Sequence, residues 1–298
     1  MQGASERVDD SLKYVDLRDF GEKDEGHINT IVSALQFQHK LFLREMGGTL
    51  LPLEIPQNDV QVVMDYICGP GAWCIDLSKD HPEKHIYGLD SNHRILAIAQ
   101  ENARDAHTKN IEFRPVNRTP PLLFEDGTFD LIRIQNGTSL FSMDEWPVIM
   151  AEMYRLLRPG GWLHMLDFEM GPTSQPALDR VLALLGQIMK KLGRSFSPYG
   201  TLPLNGCILG PQRLARQSFT DIKYHFYPVN LGGWNNPIGR AYLNSIVVKP
   251  EMILRLAVEG GFGSEDELRP LLREMQRELQ QIGFCGAGML LSSFGRKP

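Results

Sequence analysis

A chain of 298 residues, 42% hydrophobic and 22% charged, is long enough to bury a large core and has the composition of an ordinary globular protein. Its 31 basic and 36 acidic residues are interspersed and leave a net charge of −5, which excludes the basic footprint of a nucleic-acid or anionic-membrane binder. Cysteines at positions 68, 74, 207 and 285 lack the spacing of a zinc site or a disulfide framework, so free thiols and no metal are expected. No secretory leader and no apolar run of roughly 18 residues is found, so a cytoplasmic protein without a membrane span is expected.

Residues 1–26 are polar and read as a flexible N-terminal segment. From His27 to Met46, apolar residues at Ile28, Ile31, Leu35, Leu41 and Phe42 fall near helical spacing, and Gly47-Gly48 ends that helix. With the proline-marked connection behind it, the helix reads as a cap over 27–56. The main domain, 57–298, opens on a valine-rich strand at Val60 to Ile67. Helix Ala72 to Lys79, strand His85 to Leu89, helix Asn92 to Ala106 and strands Ile111 to Val116 and Phe129 to Ile134 follow. Helix Trp146 to Leu157 leads through Pro159-Gly160-Gly161 to a strand at Trp162 to Phe168. Such alternation predicts an α/β fold: a Rossmann-like, seven-stranded, mostly parallel sheet with an antiparallel last strand and helices on both faces. Helical insertions are expected at about 174–215 and 235–283. The first holds a helix at Pro176 to Leu192, and the second holds helices at Gly239 to Glu259 and Glu265 to Ile282. Ser264 and Glu267 stand in capping-box spacing. Strands at Asp221 to Tyr227 and Gly286 to Phe294 complete the sheet. The apolar faces of the second insertion are compatible with a homo-oligomer.

The sharpest local signal is Asp65-Tyr66-Ile67-Cys68-Gly69-Pro70-Gly71-Ala72-Trp73, an acidic residue near a strand end followed by a glycine turn into a helix. Glycines let backbone approach a ligand closely, and the helix start offers free amides. Asp90 ends the next strand, where an acidic side chain accepts both hydroxyls of a ribose; its alternative role is to cap the helix near Asn92. A dinucleotide fingerprint needs a third glycine at position 74, where Cys74 stands, so hydride transfer is disfavoured.

In the order and spacing of Asp65 to Gly71, Asp90, Phe124 to Asp130 and Arg158-Pro159-Gly160-Gly161-Trp162, the chain resembles the class I S-adenosylmethionine-dependent methyltransferases. Within them it is most similar to small-molecule enzymes of secondary metabolism, through Gln38-His39, Trp73 and Asp76-Leu77. The resemblance implies S-adenosylmethionine as cofactor, S-adenosylhomocysteine as product and a small-molecule acceptor. It places Asp65, Gly69 and Gly71 around the amino-acid end and Asp90 on the ribose, with Ser91 beside the adenine. Asn117 is favoured on the adenine amine, next to Arg118. Ile134 and Gln135 would lie near the cofactor amine and the acceptor, with Gln38 closing over the methionine end. Ile67 departs from the pattern, which has glycine or alanine there.

Methyl transfer needs alignment and a group to take the acceptor's proton. Glu169, His39 and His164 are the candidates, with Asp167 and His225 behind them, and His164 on an apolar strand reads more readily as a core residue. Tyr14, Phe141, Trp146, Tyr199 and Trp234 suggest a hydrophobic acceptor pocket. Two other functions fit the pattern: a cyclase that holds the cofactor without methylating, and a regulatory or scaffold protein that has lost catalysis.

Overall fold

The computed structural model describes residues 25–194, 207–232, 236–243, 250–281 and 283–298. Most of the expected flexible segment, together with Tyr14, Tyr199 and Trp234, lies outside them.

The strands are β1 (Val62–Tyr66), β2 (His85–Asp90), β3 (Ile111–Pro115), β4 (Phe129–Gln135), β5 (Leu157–Thr173), β6 (Thr220–Asn230) and β7 (Gly286–Arg296), the central ones largely apolar and buried, β3 and β6 mixed and more exposed. One sheet results, ordered β3-β2-β1-β4-β5-β7-β6. The pairs from β3 to β5 are parallel, while β7 runs antiparallel to both β5 and β6. The order reverses between β1 and β4, both of which follow the same direction, and a crevice opens there beyond their carboxyl ends.

Helices α1 (Glu25–Glu45), α2 (Ala72–Asp80), α3 (His93–Asp105), α4 (Gly137–Leu140) and α5 (Trp146–Leu156) accompany the first five strands. Asn92 caps α3, its side chain accepting from the amides of Arg94 and Ile95 at 3.1 Å, so the capping role weighed for Asp90 belongs to Asn92. Helices α6 (Pro176–Lys191) and α7 (Gly210–Arg216) precede β6, and α8 (Pro237–Tyr242), α9 (Pro250–Glu259) and α10 (Glu265–Leu279) precede β7. The capping box at Ser264 and Glu267 is formed.

Two expected boundaries are corrected. The strand expected from Trp162 begins at Leu157, because the chain runs through Pro159-Gly160-Gly161 as an irregularity in the pairing with β4, with Gly160 at φ +80°. The single helix expected over Gly239 to Glu259 is two, with Pro250 opening the second; residues 244–249 lie outside the described ones.

Three apolar clusters hold the layers. One packs α5 against the strands from Tyr66, Phe129 and Met165, and a second joins Trp73 and Leu77 of α2 to Val63 and Phe294. The third buries Leu41 and Phe42 of α1 among residues of α6, α8, α9 and α10, so the expected cap and both insertions share one core beside Leu166 and Leu290 of the sheet.

Candidate functional site

Beyond β1 the chain turns through three left-handed residues, Ile67 at φ +64°, Gly69 at +58° and Gly71 at +77°. Glycine adopts this conformation freely, whereas a β-branched residue does so against steric resistance. The turn is fastened to the end of β2: Cys68 N–H donates to the Leu89 carbonyl at 2.8 Å, and Gly69 N–H donates to Asp90 Oδ2 at 2.8 Å. The other Asp90 oxygen accepts from Asn92 N–H at 2.9 Å. Gly71 lies on Phe113, where a Cβ would stand 2.7 Å from Cζ.

A cavity of about 310 Å³ opens between this turn, the ends of β4 and β5, and the helices α1, α6, α8 and α9. At its base the Arg133 guanidinium, paired with Asp65 at 2.9 Å, lies over the Trp73 ring at 4.5 Å. Arg133 Nη2 also donates to Gln135 Oε1. Burial pushes the Asp65 carboxyl up from its ordinary range, against the opposing pull of the Arg133 charge. Gln38 reaches down from α1: its Oε1 accepts from Gln135 at 3.2 Å and from Asn136 at 2.6 Å, and its Nε2 donates to the Tyr242 hydroxyl at 3.1 Å. These amides tie α1, the sheet and α8 together through Gln38. The facing wall is apolar, made by Phe168, Met170, Leu182, Met189, Tyr242 and Met252. Glu169, itself buried, lines the cavity between Phe168 and Met170.

Of the residues expected at the site, the cavity gathers Gln38, His39, Asp65, Gly69, Gln135 and Glu169. His39 holds Asp76 at 2.8 Å, a hydrogen bond that lowers the Asp76 pKa. The other candidates lie elsewhere. Gly71 and Asp90 support the turn from behind, Asp90 with no exposed surface, and half-buried Ser91 follows it. Asn117 is exposed beyond β3, outside the cavity lining. Arg118 is bound to Glu145 at 2.8 Å and to the Leu140 carbonyl at 3.1 Å, which makes it a strut between β3 and α5. Ile134 points into the core. His164 is corrected from catalytic candidate to core residue: fully buried, it bonds the Ser292 hydroxyl at 2.9 Å, and burial pushes its pKa down to about 3. Asp167 binds Thr138 N–H at 3.0 Å, and His225 pairs with Glu54 at 2.7 Å. Phe141 stacks on Tyr66, and its other neighbour Trp146 meets it edge-on; both are core, so the apolar wall comes from other residues.

Sequence reasoning missed Arg133, Asn136 and Tyr242. An arginine between Ile132 and Ile134 of a buried strand was the readable signal, since a buried charge demands a partner.

S-adenosylmethionine fits the cavity at its methionine end. Gly69 turns its bare Cα towards α1, where a Cβ would come 3.3 Å from Leu35, and Asp65 and Arg133 offer opposite charges to an amino-acid head. Asp90, expected on the ribose, stands at the end of β2 with no exposed surface and with its two oxygens on the amides of Gly69 and Asn92.

Residues 63–161 match the family described as a methyltransferase domain. Demethylmenaquinone methyltransferase of Listeria welshimeri is 35% identical over 115 residues, 38% of this chain and 45% of that protein. The Geobacillus enzyme of the same name is 28% identical over 158 residues, 53% of this chain and 62% of that protein. The chain thus spans less than two thirds of these relatives. Among solved structures, phosphoethanolamine N-methyltransferase 2 of Haemonchus contortus with S-adenosyl-L-methionine superposes at a TM-score of 0.52 and 15% identity, covering 95% of this chain and 60% of that one. Its complex with phosphomonomethylethanolamine and S-adenosylhomocysteine gives 0.51 at 16%, covering 96% and 61%. Residues 63–161, which run from β1 to the start of β5, are a methyltransferase domain.

Proposed function

We propose that the chain transfers a methyl group from S-adenosylmethionine to a small, largely apolar acceptor. The observation that carries this reading is the division of one cavity into a polar end at Gly69, Asp65 and Gln135 and an apolar wall at Leu182, Met189 and Met252. The names of the bacterial relatives, demethylmenaquinone methyltransferases, speak of quinone-like acceptors of the same apolar character.

When bound, the cofactor supplies an electrophilic methyl group on a sulfonium. The chain's own work is to orient and desolvate. Gly69 and the amides of the turn border the amino-acid end, Asp90 takes the ribose hydroxyls with Ser91 beside it, and Asn117 is the residue available to the adenine. Phe168 and the helix wall exclude water from the acceptor side. Glu169, buried on that side, takes the proton from an acceptor hydroxyl. His39, fixed by Asp76, holds α1 over α2 and is the second candidate base. Product leaves as S-adenosylhomocysteine and the methylated acceptor. A cytoplasmic setting, the absence of nucleic-acid substrates and self-association belong to the same proposal. Among the described residues no helix is long and apolar enough to cross a membrane.

The test is incubation with methyl-labelled cofactor and a panel of phenols, hydroquinones and amines. Label in an apolar acceptor, lost in Glu169→Gln, is the expected result; transfer to none of the panel, with no binding of S-adenosylhomocysteine, overturns it. One observation favours the non-catalytic reading, the left-handed Ile67 at the turn.

A further inference from the structure

Strand β6 closes one side of the sheet, paired to β7 and to no other strand among the described residues. Just past its end, Leu231 N–H donates to the Gly286 carbonyl at 2.9 Å. Peptide groups alternate in direction along an antiparallel pair, so the amides of Val229, Tyr227 and His225 also turn to β7, while those of Phe226 and Tyr224 turn to the open edge. Pro228, with no N–H to offer, falls on the outward side, where an edge strand tolerates proline. At the other end the pairing with β7 is irregular between Thr220 and Lys223. A proline and an irregularity each stop an edge from pairing further. Between them Lys223 to Tyr227 stay regular, and this stretch reads alike in both directions about His225. Tyr224 and Phe226 flank it on one face of the sheet, 53% and 51% exposed, with ring centroids 5.6 Å apart. Neither joins an apolar cluster among the described residues. On the other face His225 pairs with Glu54 at 2.7 Å. The apolar faces of α9 and α10, expected to be available for self-association, are instead buried with α6 in the core of one chain.

We infer that β6 is the contact between two copies of this chain, pairing antiparallel with itself across a two-fold axis at His225. A two-fold contact requires a surface that matches itself when reversed. In this register Tyr224 of each copy stands opposite Phe226 of the other, their outward peptide groups exchange hydrogen bonds, and the half-exposed rings of both copies meet on one face. Lys223 stands opposite Tyr227 on the other face, an ammonium beside an aromatic ring. Each His225 keeps the Glu54 of its own chain beside it. The register is fixed by what bounds it. Moving the axis to Phe226 sets Pro228 against the outward amide of Tyr224, and moving it to Tyr224 sets Ile222, inside the irregular stretch, against Phe226. The contact gives the proposed self-association a surface and does not depend on the methyl-transfer reading.

Sedimentation equilibrium of the full chain tests this. The native chain is expected to be a dimer at about 50 µM. Phe226→Lys and Tyr224→Lys are each expected to weaken the dimer about tenfold or more, while Val148→Lys, at an exposed site on α5, leaves it unchanged. All three side chains lie outside the apolar clusters, so the circular dichroism of the variants is expected to match that of the native chain. A thiol at the axis reads the register, because residues facing each other there approach to about 4.5 Å between Cα atoms, within disulfide reach. His225→Cys is therefore expected to give a covalent dimer on mild oxidation, above the background of the native cysteines, and Lys223→Cys, displaced from its counterpart along the strand, is not. A native monomer overturns both this inference and the proposed self-association. A dimer that survives both lysine substitutions at β6, or that cross-links as readily at position 223, overturns the inference and leaves self-association standing.

Discussion

The ring of Phe113 closes against Gly71 so tightly that a Cβ on the glycine would stand 2.7 Å from Cζ and 3.0 Å from Cε1. Gly71 also has φ +77°, so Gly71→Ala meets both a clash and a left-handed backbone. Gly47, at φ +71° with nothing within 4 Å of its Cβ position, supplies the control. Gly47→Ala is expected to cost about 1 kcal/mol, the left-handed penalty alone. Gly71→Ala is expected to cost about 2–4 kcal/mol once overpacking is added. Urea unfolding of the two variants checks the difference.

Ile67 stands at φ +64° and is buried. Truncating a buried isoleucine ordinarily loses packing, and glycine is ordinarily worse than alanine. Here the left-handed backbone reverses the second rule, because alanine keeps the strain that glycine removes. Ile67→Gly is therefore expected to be more stable than Ile67→Ala by about 1 kcal/mol. Melting curves showing the usual order would remove the strain at this turn from the account.

Buried His164 has its pKa lowered from 6.5 to about 3, first by desolvation and then by the Arg133 charge. Between those values the unfolded chain binds a proton that the folded chain refuses, so stability falls as the pH drops through this window and is regained as it rises. Below about pH 3 both states are protonated and the dependence ends. The contribution is about 1.4 kcal/mol per pH unit at most. His164→Gln is expected to flatten the stability profile between about pH 6 and pH 4, measured by denaturant titration at each pH.

Glu278 of α10 accepts the amides of Ala177 at 3.0 Å and Leu178 at 2.9 Å, and so caps the first turn of α6 from another helix. An acidic side chain there also meets the positive end of the helix dipole. Glu278→Ala is expected to cost about 2–3 kcal/mol, and Glu278→Gln about half as much because one acceptor oxygen survives. Faster proteolysis in α6 of the alanine variant, with the sheet intact, is the accompanying readout.

The sheet was legible because its central strands are apolar runs punctuated by turn residues, and the glycine turn with Asp90 was legible from spacing. The length of β5 was hidden by Pro159-Gly160-Gly161, which reads as a stop but is accommodated as an irregularity against β4. Much of the cavity was hidden for a different reason. Tyr242 meets Gln38 across 204 positions, and Leu182 and Met189 reach the wall through the packing of α6, so no local pattern announces them. Asn117 and Arg118 show the converse: a correct place in the chain order says nothing of whether the side chain faces the cavity or, like Arg118, braces a neighbouring helix.

Gln38 is bonded to the sheet through Gln135 and Asn136 and to α8 through Tyr242. Lifting α1 therefore unlatches the polar end and the apolar wall in a single event. Under the proposed methyl transfer, S-adenosylhomocysteine and the methylated acceptor are expected to depart in one kinetic phase, with Gln38→Ala raising both release rates together in stopped-flow measurements.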